Sequence, residues 1–254
     1  MYRELTADAL RSRLGLQPDD APAGVIVFGG LQPQRVLQWW AERLEGARSV
    51  GSYPALLGRY EGHMVLFGVT YGAALTSEIV HFAGLLATPL AIQLGSFGGL
   101  QRGMAVGDVF FPTLAARGDG ASDCYLTPDE PADASPDLLH AMRHDADARG
   151  LRTHSGPHVT TAALFAETRD DIARWNAQGY RGVDLETATT FAVARHFGMR
   201  RAAALVLIDN LIEDHSLLDV TAAQRSAHHA VAERTAELAL DTIVAWATHN
   251  QPKP

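Results

Sequence analysis

The segment from Gly182 to Asn210 constrains the fold of this chain more than any other stretch. An apolar and acidic run leads to Glu186, which precedes a predicted helix over Thr187–Phe197, and Gly198 follows where a helix C-terminus favours glycine. The unbroken apolar run Ala202–Ile208 has the length of a strand and predicts a buried, parallel one. The segment therefore predicts a helix–strand unit of an α/β protein.

Acidic side chains mark both ends of this unit. Glu186 precedes the helix, whereas Asp209 and Asn210 follow the strand. Each has a structural explanation, because Glu stabilises a helix N-terminus and Asp often caps the next helix. However, ligands of open α/β sheets bind at the carboxyl ends of the strands. We therefore expect Glu186 and Asp209 to reach one pocket.

The rest of the chain predicts a single domain over residues 1–254. This length is sufficient for a full core, and no internal repeat or linker divides the chain. Strand and helix patterns alternate, from a short helix at Ala7–Leu14 to a long one at Ala222–Thr248. Such alternation indicates a mainly parallel sheet covered by helices on both faces. We interpret the last helix as a packing element.

Composition and charge exclude several classes of function. The net charge of −8 and the lack of a Lys/Arg cluster argue against a nucleic-acid partner. The single cysteine, Cys124, excludes an internal disulfide framework and a cysteine-rich zinc site, and the histidine spacing suggests no metal ligands. Because no apolar run reaches the length of a bilayer span and the N-terminus lacks a signal-peptide core, we expect no membrane partner and a cytoplasmic location.

A glycine turn follows the first predicted strand, Gly24–Phe28. The turn, GGLQPQR at 29–35, leads into a helix predicted over Val36–Leu44. A strand, a glycine turn and a helix together present backbone N–H groups and the positive end of the helix to an anion. Gly30 and Arg35 are therefore candidate anion ligands.

A second glycine turn follows the predicted strand Pro89–Leu94. It reads GSFGGL at 95–100, and Gly107-Asp108-Val109 comes a little later. The glycines let the backbone approach a ligand oxyanion, and Ser96 can add a hydroxyl donor. A helix predicted over Ser77–Leu86, with Thr76 as its N-cap, precedes this strand.

These motifs resemble those of the nucleoside phosphorylase superfamily, which comprises purine and uridine phosphorylases and methylthioadenosine nucleosidase. Leu185-Glu186-Thr187-Ala188 is similar to the family's Met-Glu-Ser/Ala segment, and Ile208-Asp209 to its later Ser-Asp pair. The glycine turn at 95–100 and the Gly-Asp-Val at 107–109 resemble the central signature G-[ST]-x-G-[GA]-[LI]…GD-[VI]. The resemblance implies a three-layer sandwich with a central mixed, mainly parallel sheet flanked by helices.

The resemblance also implies roles for single residues. Glu186 would accept hydrogen bonds from the ribose hydroxyls as an ionised carboxylate, and Asp209 would hold a proton for the leaving base. Since an unperturbed Asp has a pKa of about 3.9, burial must raise it. An Asp at this position implies a purine-type base rather than uracil. The implied substrate-binding set is Gly30, Arg35, Gln93, Ser96, Phe165 (against the base), Leu185, Glu186 and Asn210.

The predicted phosphate end departs from the family pattern. The arginine expected two residues before the central glycine is Gln93, and the arginine expected from a neighbouring subunit falls on Gly51. Only Arg35 remains, unless Arg102 or Arg59 substitutes. Bidentate arginine contacts are the strongest ligands of phosphate, so the losses should weaken its binding.

Three functions therefore remain open. The first is a nucleoside phosphorylase that uses inorganic phosphate as co-substrate and needs no other cofactor. The second is a hydrolase of the same superfamily, although the turn GGLQPQ lacks the glutamate that activates water in the nucleosidases. The third is a nucleoside-binding protein without turnover. In each case the resemblance implies a homo-oligomer, from dimer to hexamer.

Overall fold

A mixed sheet of ten strands forms the centre of the protein in the computed structural model, which describes residues 4–213 and 215–249. The strands are β1 (Gly24–Gly29), β2 (Glu45–Ser49), β3 (Ala55–Tyr60), β4 (His63–Thr70), β5 (Leu90–Gly99), β6 (Val109–Gly118), β7 (Ala132–Asp133), β8 (Thr153–Thr161), β9 (Gly182–Asp184) and β10 (Arg200–Asn210). The helices are α1 (Ala7–Leu14), α2 (Pro33–Ala41), α3 (Ala73–Leu85), α4 (Pro136–Ala148), α5 (Arg169–Ala177), α6 (Thr187–His196) and α7 (Ala222–His249).

The order of the strands brings β1, β5 and β10 side by side. The order is β10-β6-β8-β9-β5-β1-β4-β3-β2, with β7 attached to β6. β1 runs parallel to β4 and β5, and β5 runs parallel to β10, whereas β6 is antiparallel to β10 and β9 is antiparallel to β5. Helices flank this single mixed sheet, which confirms the predicted fold class.

Part of the sheet closes on itself. β5 pairs with β9 at its end and with β10 along its length, so β5, β10, β6, β8 and β9 form a ring. The closure depends on the length of β5, which we predicted as Pro89–Leu94 but which continues to Gly99. The glycine turn predicted after β5 is therefore its last half, and Gly98 and Gly99 pair with both β9 and β10.

Two helix layers cover the two faces of the sheet. Ile26 of β1 packs in a cluster with Trp40 of α2 and Leu240 of α7, whereas its neighbours Val25 and Val27 pack with residues of α1, α3 and α6. Successive side chains of a strand point to opposite faces, so β1 is apolar on both. The helices thus divide between the two sides of the β1–β5–β10 edge.

Two helices start earlier than we predicted. α2 begins at Pro33 rather than Val36, because Gln32 has a left-handed backbone (φ 61°) and proline is favoured at a first helical position. α3 begins at Ala73, with Gly72 as its N-cap. Thr76, our predicted cap, lies inside α3 and donates to the carbonyl of Gly72 at 3.0 Å.

The last helix is both a packing element and part of the cavity described below. α7 has 28 residues and buries a stripe that includes Leu238, Leu240 and Ile243 against the sheet. Its length alone would cross a bilayer, but neither α7 nor another helix of the described ranges is apolar enough to do so. The first half of α7 is polar and lies over the carboxyl ends of β5 and β10.

Candidate active site

A cavity of about 860 Å³ opens where β1, β5 and β10 end. Its lining comes from the β1–α2 turn, β5, the β9–α6 junction, the end of β10 and α7. The size is typical of small-molecule sites. Seven residues predicted from the sequence line it: Gly30, Arg35, Ser96, Phe165, Leu185, Glu186 and Asp209.

Glu186 lies at the start of α6 and points away from that helix. Although it occupies the N-cap position, its side chain makes no capping hydrogen bond. Instead Oε1 accepts the N–H of Gly72 at 2.7 Å, and a Cβ on Gly29 would lie only 2.5 Å from Oε2. Glycine at position 29 therefore makes room for this carboxylate, which the helix-dipole explanation does not require.

A buried pair beneath Glu186 supports this junction. Asp184 of β9 accepts hydrogen bonds from the hydroxyl of Thr160 at 2.8 Å and from Thr187, while His158 Nε2 lies 3.2 Å from its Oδ1. Burial raises the pKa of Asp184, but His158 and the threonine hydrogen bonds outweigh it and hold the pKa below its usual value. Asp184 is thus the structural carboxylate of the Asp-Leu-Glu segment.

Asp209 reaches the cavity because β10 is irregular. Leu207 pairs with Phe97 and Asp209 with Gly98, so Ile208 is the extra residue of a β-bulge. Neighbouring residues of a regular strand face opposite sides, yet Ile208 and Asp209 both line the cavity. A bulge re-aims side chains in this way.

Two carboxyl groups of the cavity, those of Glu186 and Asp209, have raised pKa values. Burial, followed by the charge of Asp184, raises the pKa of Glu186 to about 8. Burial also raises the pKa of Asp209 to about 6, against the opposing effects of the Leu217 backbone and His215. We expected Glu186 to be ionised and Asp209 to be the protonated acid. Without a ligand the order is reversed, because Glu186 is buried and also lies next to another carboxylate, whereas the Leu217 main chain and His215 oppose the effect of burial at Asp209.

Glu167 is a further carboxyl group of the cavity lining, which sequence reasoning missed. Burial and then the charges of Asp209 and Asp171 raise its pKa to about 7. It follows Phe165, which lies at the rim and is 87% exposed, and precedes the capping box of Thr168 and Asp171. Its position in the sequence, between the predicted base contact Phe165 and the helix cap Thr168, could have identified it as a site residue.

Two predicted binding residues lie outside the cavity lining. Gln93 is fully buried, donates to the Leu94 carbonyl at 2.7 Å and accepts from Thr190 at 2.6 Å. Asn210 donates to the main-chain oxygens of Gln101 and Met104. These are corrections to the predicted binding set, since the amides of both residues are taken up by structural hydrogen bonds.

The role predicted for Gly30 also needs correction. Gly30 lines the cavity, but its N–H donates to the carbonyl of Thr70 at 2.9 Å. It therefore does not offer this N–H to an anion. Its value at the turn is its small size, because a Cβ would lie 2.4 Å from the ring of Phe28.

The predicted phosphate end carries a single arginine among the described residues that line the cavity, Arg35 of α2. Arg59 donates to the Gly62 carbonyl, and neither it nor Arg102 belongs to the lining. Ser96 Oγ lies 3.0 Å from His228 Nε2. Sequence reasoning missed His228, because α7 was interpreted only as a packing helix.

Burial determines the protonation of His228. It lowers the pKa of His228 to about 4, although a contact with the main chain of Val206 acts in the opposite direction. The imidazole is therefore neutral at pH 7. On the next turn of α7, Glu233 accepts from Trp39 Nε1 at 2.9 Å and joins α7 to α2 at the cavity wall.

The comparison with protein families decides the classification. The sequence model of the family described as "Phosphorylase superfamily" matches residues 23–245. The chain belongs to the phosphorylase superfamily. This match covers the whole sheet and every residue of the cavity lining.

Related sequences in this superfamily carry both purine and uridine names. The chain is 32% identical over 121 residues to a guanosine phosphorylase of Halorubrum lacusprofundi, a match that spans 48% of this chain and half of that protein. It is 29% identical to a DeoD-type purine nucleoside phosphorylase of Roseobacter denitrificans, over 78% of this chain and 86% of the relative. A uridine phosphorylase of Thermococcus kodakarensis is 23% identical over 83% and 81%.

Solved structures of the superfamily share the fold. Uridine phosphorylase of Vibrio fischeri superposes with a TM-score of 0.77 at 24% identity, over 89% of this chain and 94% of that one. Purine nucleoside phosphorylase of Toxoplasma gondii, in complex with immucillin-H, gives 0.78 at 18% identity, over 92% and 95%. The phosphorylase fold thus accounts for nearly all of the chain.

Proposed function

We propose that this protein is a nucleoside phosphorylase that cleaves the N-ribosidic bond of a purine-type nucleoside and transfers the ribosyl group to inorganic phosphate. The observation that carries the proposal is that Glu186 and Asp209 line one cavity, although they come from different elements. The reaction needs a supported ribose, a neutralised base and a placed nucleophile. The cavity offers side chains for each of these.

The ribose subsite is proposed at Glu186. Ribose hydroxyls that donate to its carboxylate favour the charged form and so lower the raised pKa. A negative charge there also stabilises positive charge that develops on the sugar as the bond breaks. Substrate binding would thus bring Glu186 into the ionised state that the chemistry requires.

The base subsite is proposed at Asp209, Glu167 and Phe165. With a pKa of about 6, Asp209 is protonated in roughly a tenth of molecules at pH 7. A purine ring nitrogen can accept that proton as the base leaves, which makes the leaving group neutral. The exposed ring of Phe165 is available to lie against the base.

The phosphate subsite is proposed at Arg35 and Ser96. A phosphate oxygen attacks C1′ of the ribose while the bond from C1′ to the base nitrogen breaks. The products are a ribose 1-phosphate and the protonated free base. Arg35 neutralises charge on phosphate, and the Ser96 hydroxyl donates to one of its oxygens.

Hydrolysis is the second candidate. The observation in its favour is the single arginine of the described cavity lining, beside the carboxyl groups of Glu186, Asp209 and Glu167. Such a cavity binds an anion less favourably than water, because the carboxylates repel the anion. Water would then attack C1′, and the sugar product would be free ribose.

The two candidates differ in whether they need phosphate. Adenosine, inosine, guanosine and uridine should each be incubated with the protein, with and without phosphate, while free base and ribose 1-phosphate are measured. We expect base release that requires phosphate and is faster for purine nucleosides. Equal release without phosphate supports hydrolysis, and tight binding without release from any of the four contradicts both candidates.

We further propose that the protein is a homo-oligomer, as the family resemblance implies. The proposal is supported by the sparse phosphate end, to which a neighbouring subunit could add a side chain. Light scattering on the purified protein should give a mass of two to six chains of 27.3 kDa. A monomer at assay concentration would contradict it. The cytoplasmic location stays a prediction.

A further inference from the structure

A histidine occupies the end of the cavity that is short of positive charge. His228 of α7 lies on the lining between Ser96 and the carboxyl ends of β5 and β10. Ser96 and Val206 are register partners on these strands, and the imidazole contacts both of them. The ring is therefore held over the boundary of two strands, where the proposed phosphate subsite lies.

We propose that His228 is a ligand of the acceptor phosphate, which it binds together with Ser96 and Arg35 and from which it receives a proton. This inference rests on the proposed phosphorolysis. His228 binds phosphate in place of the arginine that is absent at position 93. His228 is then charged in the phosphate complex and neutral in the empty site.

The geometry places the imidazole within reach of any anion that Ser96 binds. Nε2 lies 3.0 Å from Ser96 Oγ, so an oxygen that accepts from this hydroxyl is a close neighbour of the ring. The ring also contacts the main chain of Val206, and its Nε2 faces Ser96 at the cavity. A histidine with only a packing role in the core would not line the cavity together with Ser96.

The proton balance follows from the chemistry of phosphate. H₂PO₄⁻ binds, transfers one proton to Nε2 and becomes HPO₄²⁻ beside an imidazolium. Burial makes the empty ring neutral, and the dianion then favours the charged form. No other reactant is needed, and the attacking oxygen belongs to the dianion, the better nucleophile.

Other charged groups surround this histidine. His229 on the same helix lowers the pKa of His228 further. The remaining ionisable side chains of the cavity lining are Arg35 on α2, Tyr71 after β4, Glu233 on α7, Asp184 on β9, Glu186 at α6, Glu167 before α5 and Asp209 on β10. Because most are acidic, an imidazolium there is stabilised as soon as its own burial is offset by a bound anion.

The pH dependence has a definite sign. Since the complex holds a proton that neither free His228 nor free HPO₄²⁻ carries at high pH, affinity for total phosphate falls as the pH rises. A complex held by Arg35 and Ser96 with a neutral His228 would not lose affinity in this way, because HPO₄²⁻ is the stronger ligand of an arginine.

Calorimetric titration of inorganic phosphate into the nucleoside-free protein tests the inference without turnover. In alkaline buffer, where free phosphate is HPO₄²⁻, the wild type should take up a proton on binding, seen as heats that differ between buffers of different ionisation enthalpy. His228→Gln should bind phosphate about tenfold to a hundredfold more weakly, without proton uptake, because a charge-assisted hydrogen bond is lost. His228→Asn is a second variant, and melting curves check that each one folds.

His249→Gln is the matched control, since His249 is exposed at the far end of the same helix. Its phosphate affinity should equal that of the wild type. Phosphate binding by His228→Gln at wild-type strength, or wild-type binding in alkaline buffer without proton uptake, would overturn the inference. The proposed phosphorolysis would survive that result if base release still required phosphate.

Two other results would also overturn it. If His228→Gln keeps phosphate binding but loses base release in phosphate-free buffer, the histidine activates water instead. If the wild type neither binds phosphate nor needs it for base release, the phosphate subsite does not exist, and the proposed phosphorolysis fails with it.

Discussion

The two ends of the cavity differ in how the chain builds them. At the proposed base and ribose end, short-range features of the backbone aim the acidic side chains: Glu186 starts a helix and Asp209 follows a bulge. At the proposed phosphate end, Arg35, Ser96 and His228 come from α2, β5 and α7, which lie far apart in sequence. Glu186, Asp209, Arg35 and Ser96 could be anticipated from local patterns, whereas the place of His228 depends on tertiary packing.

The two ends also differ in charge. Three carboxyl groups with raised pKa values lie at the base and ribose end, while one arginine and one neutral histidine serve the other. The burial that raises the pKa of an acid also lowers that of a histidine, so both ends are less charged in the empty cavity than in solution. Charge should therefore appear on ligand binding, and this can be tested at each end separately.

Asp209→Asn should have the largest effect. Asparagine keeps the size of the side chain but cannot deliver a proton to the leaving base, so kcat should fall about 10²- to 10⁴-fold. The KM for the nucleoside should change little, because the ribose contacts remain. Asp137→Asn, on the surface of α4, is the control. Steady-state kinetics with wild-type kcat for Asp209→Asn would show that another group is the acid.

Arg35→Gln should weaken the phosphate end alone. Loss of the one arginine of the described lining should raise the KM for phosphate roughly ten- to a hundredfold and leave the KM for the nucleoside nearly unchanged. Arg102→Gln should leave both constants unchanged, since Arg102 lies outside the lining. If Arg102→Gln raises the KM for phosphate and Arg35→Gln does not, the phosphate subsite lies elsewhere.

Glu186→Gln should raise the KM for the nucleoside by about tenfold, because a neutral amide accepts more weakly from the ribose hydroxyls. It should also change how stability depends on pH. The folded-state pKa of about 8 exceeds the unfolded value, so the native state binds more protons between pH 5 and 8, and wild-type stability is lost as the pH rises through that range.

The glutamine variant should not show that loss. Thermal melting of both proteins from pH 5 to 8 measures it, as the difference between the two curves. Parallel curves would mean that Glu186 is ionised in the empty cavity.

Glu167→Gln should have the smallest effect. The charge of Asp209 contributes to the raised pKa of Glu167, and the same repulsion acts on Asp209 in return. Its removal should shift the basic limb of the pH–kcat profile to lower pH by less than about one unit. Glu61→Gln, at the turn between β3 and β4, is the control. A shift to higher pH would show that the charge of Glu167 does not raise the pKa of Asp209.

The sequence predicted the fold and the acidic end more fully than the rest. The apolar run before Asp209 and the glycine after α6 were readable from local patterns. The ring closed by β5 and β10 was not, because it depends on pairing between strands about a hundred residues apart. His228 was not predicted for the same reason, because its place in the cavity depends on its contact with β5 and not on the sequence pattern of α7.

The protonation states were also beyond the sequence. We could anticipate that Asp209 must be buried, but not that Glu186 would be buried as well, beside Asp184. Desolvation depends on the packing of β9, α6 and β4 around each carboxyl group. Residue type and spacing carry no measure of that packing.

A crystal structure with a purine nucleoside analogue and phosphate tests the central claim most directly. We predict hydrogen bonds from the ribose 2′ and 3′ hydroxyls to Glu186 and from Asp209 to a ring nitrogen of the base, with phosphate at Arg35 and Ser96. A nucleoside bound with its base at Arg35, or outside the cavity that Glu186 and Asp209 share, would contradict it.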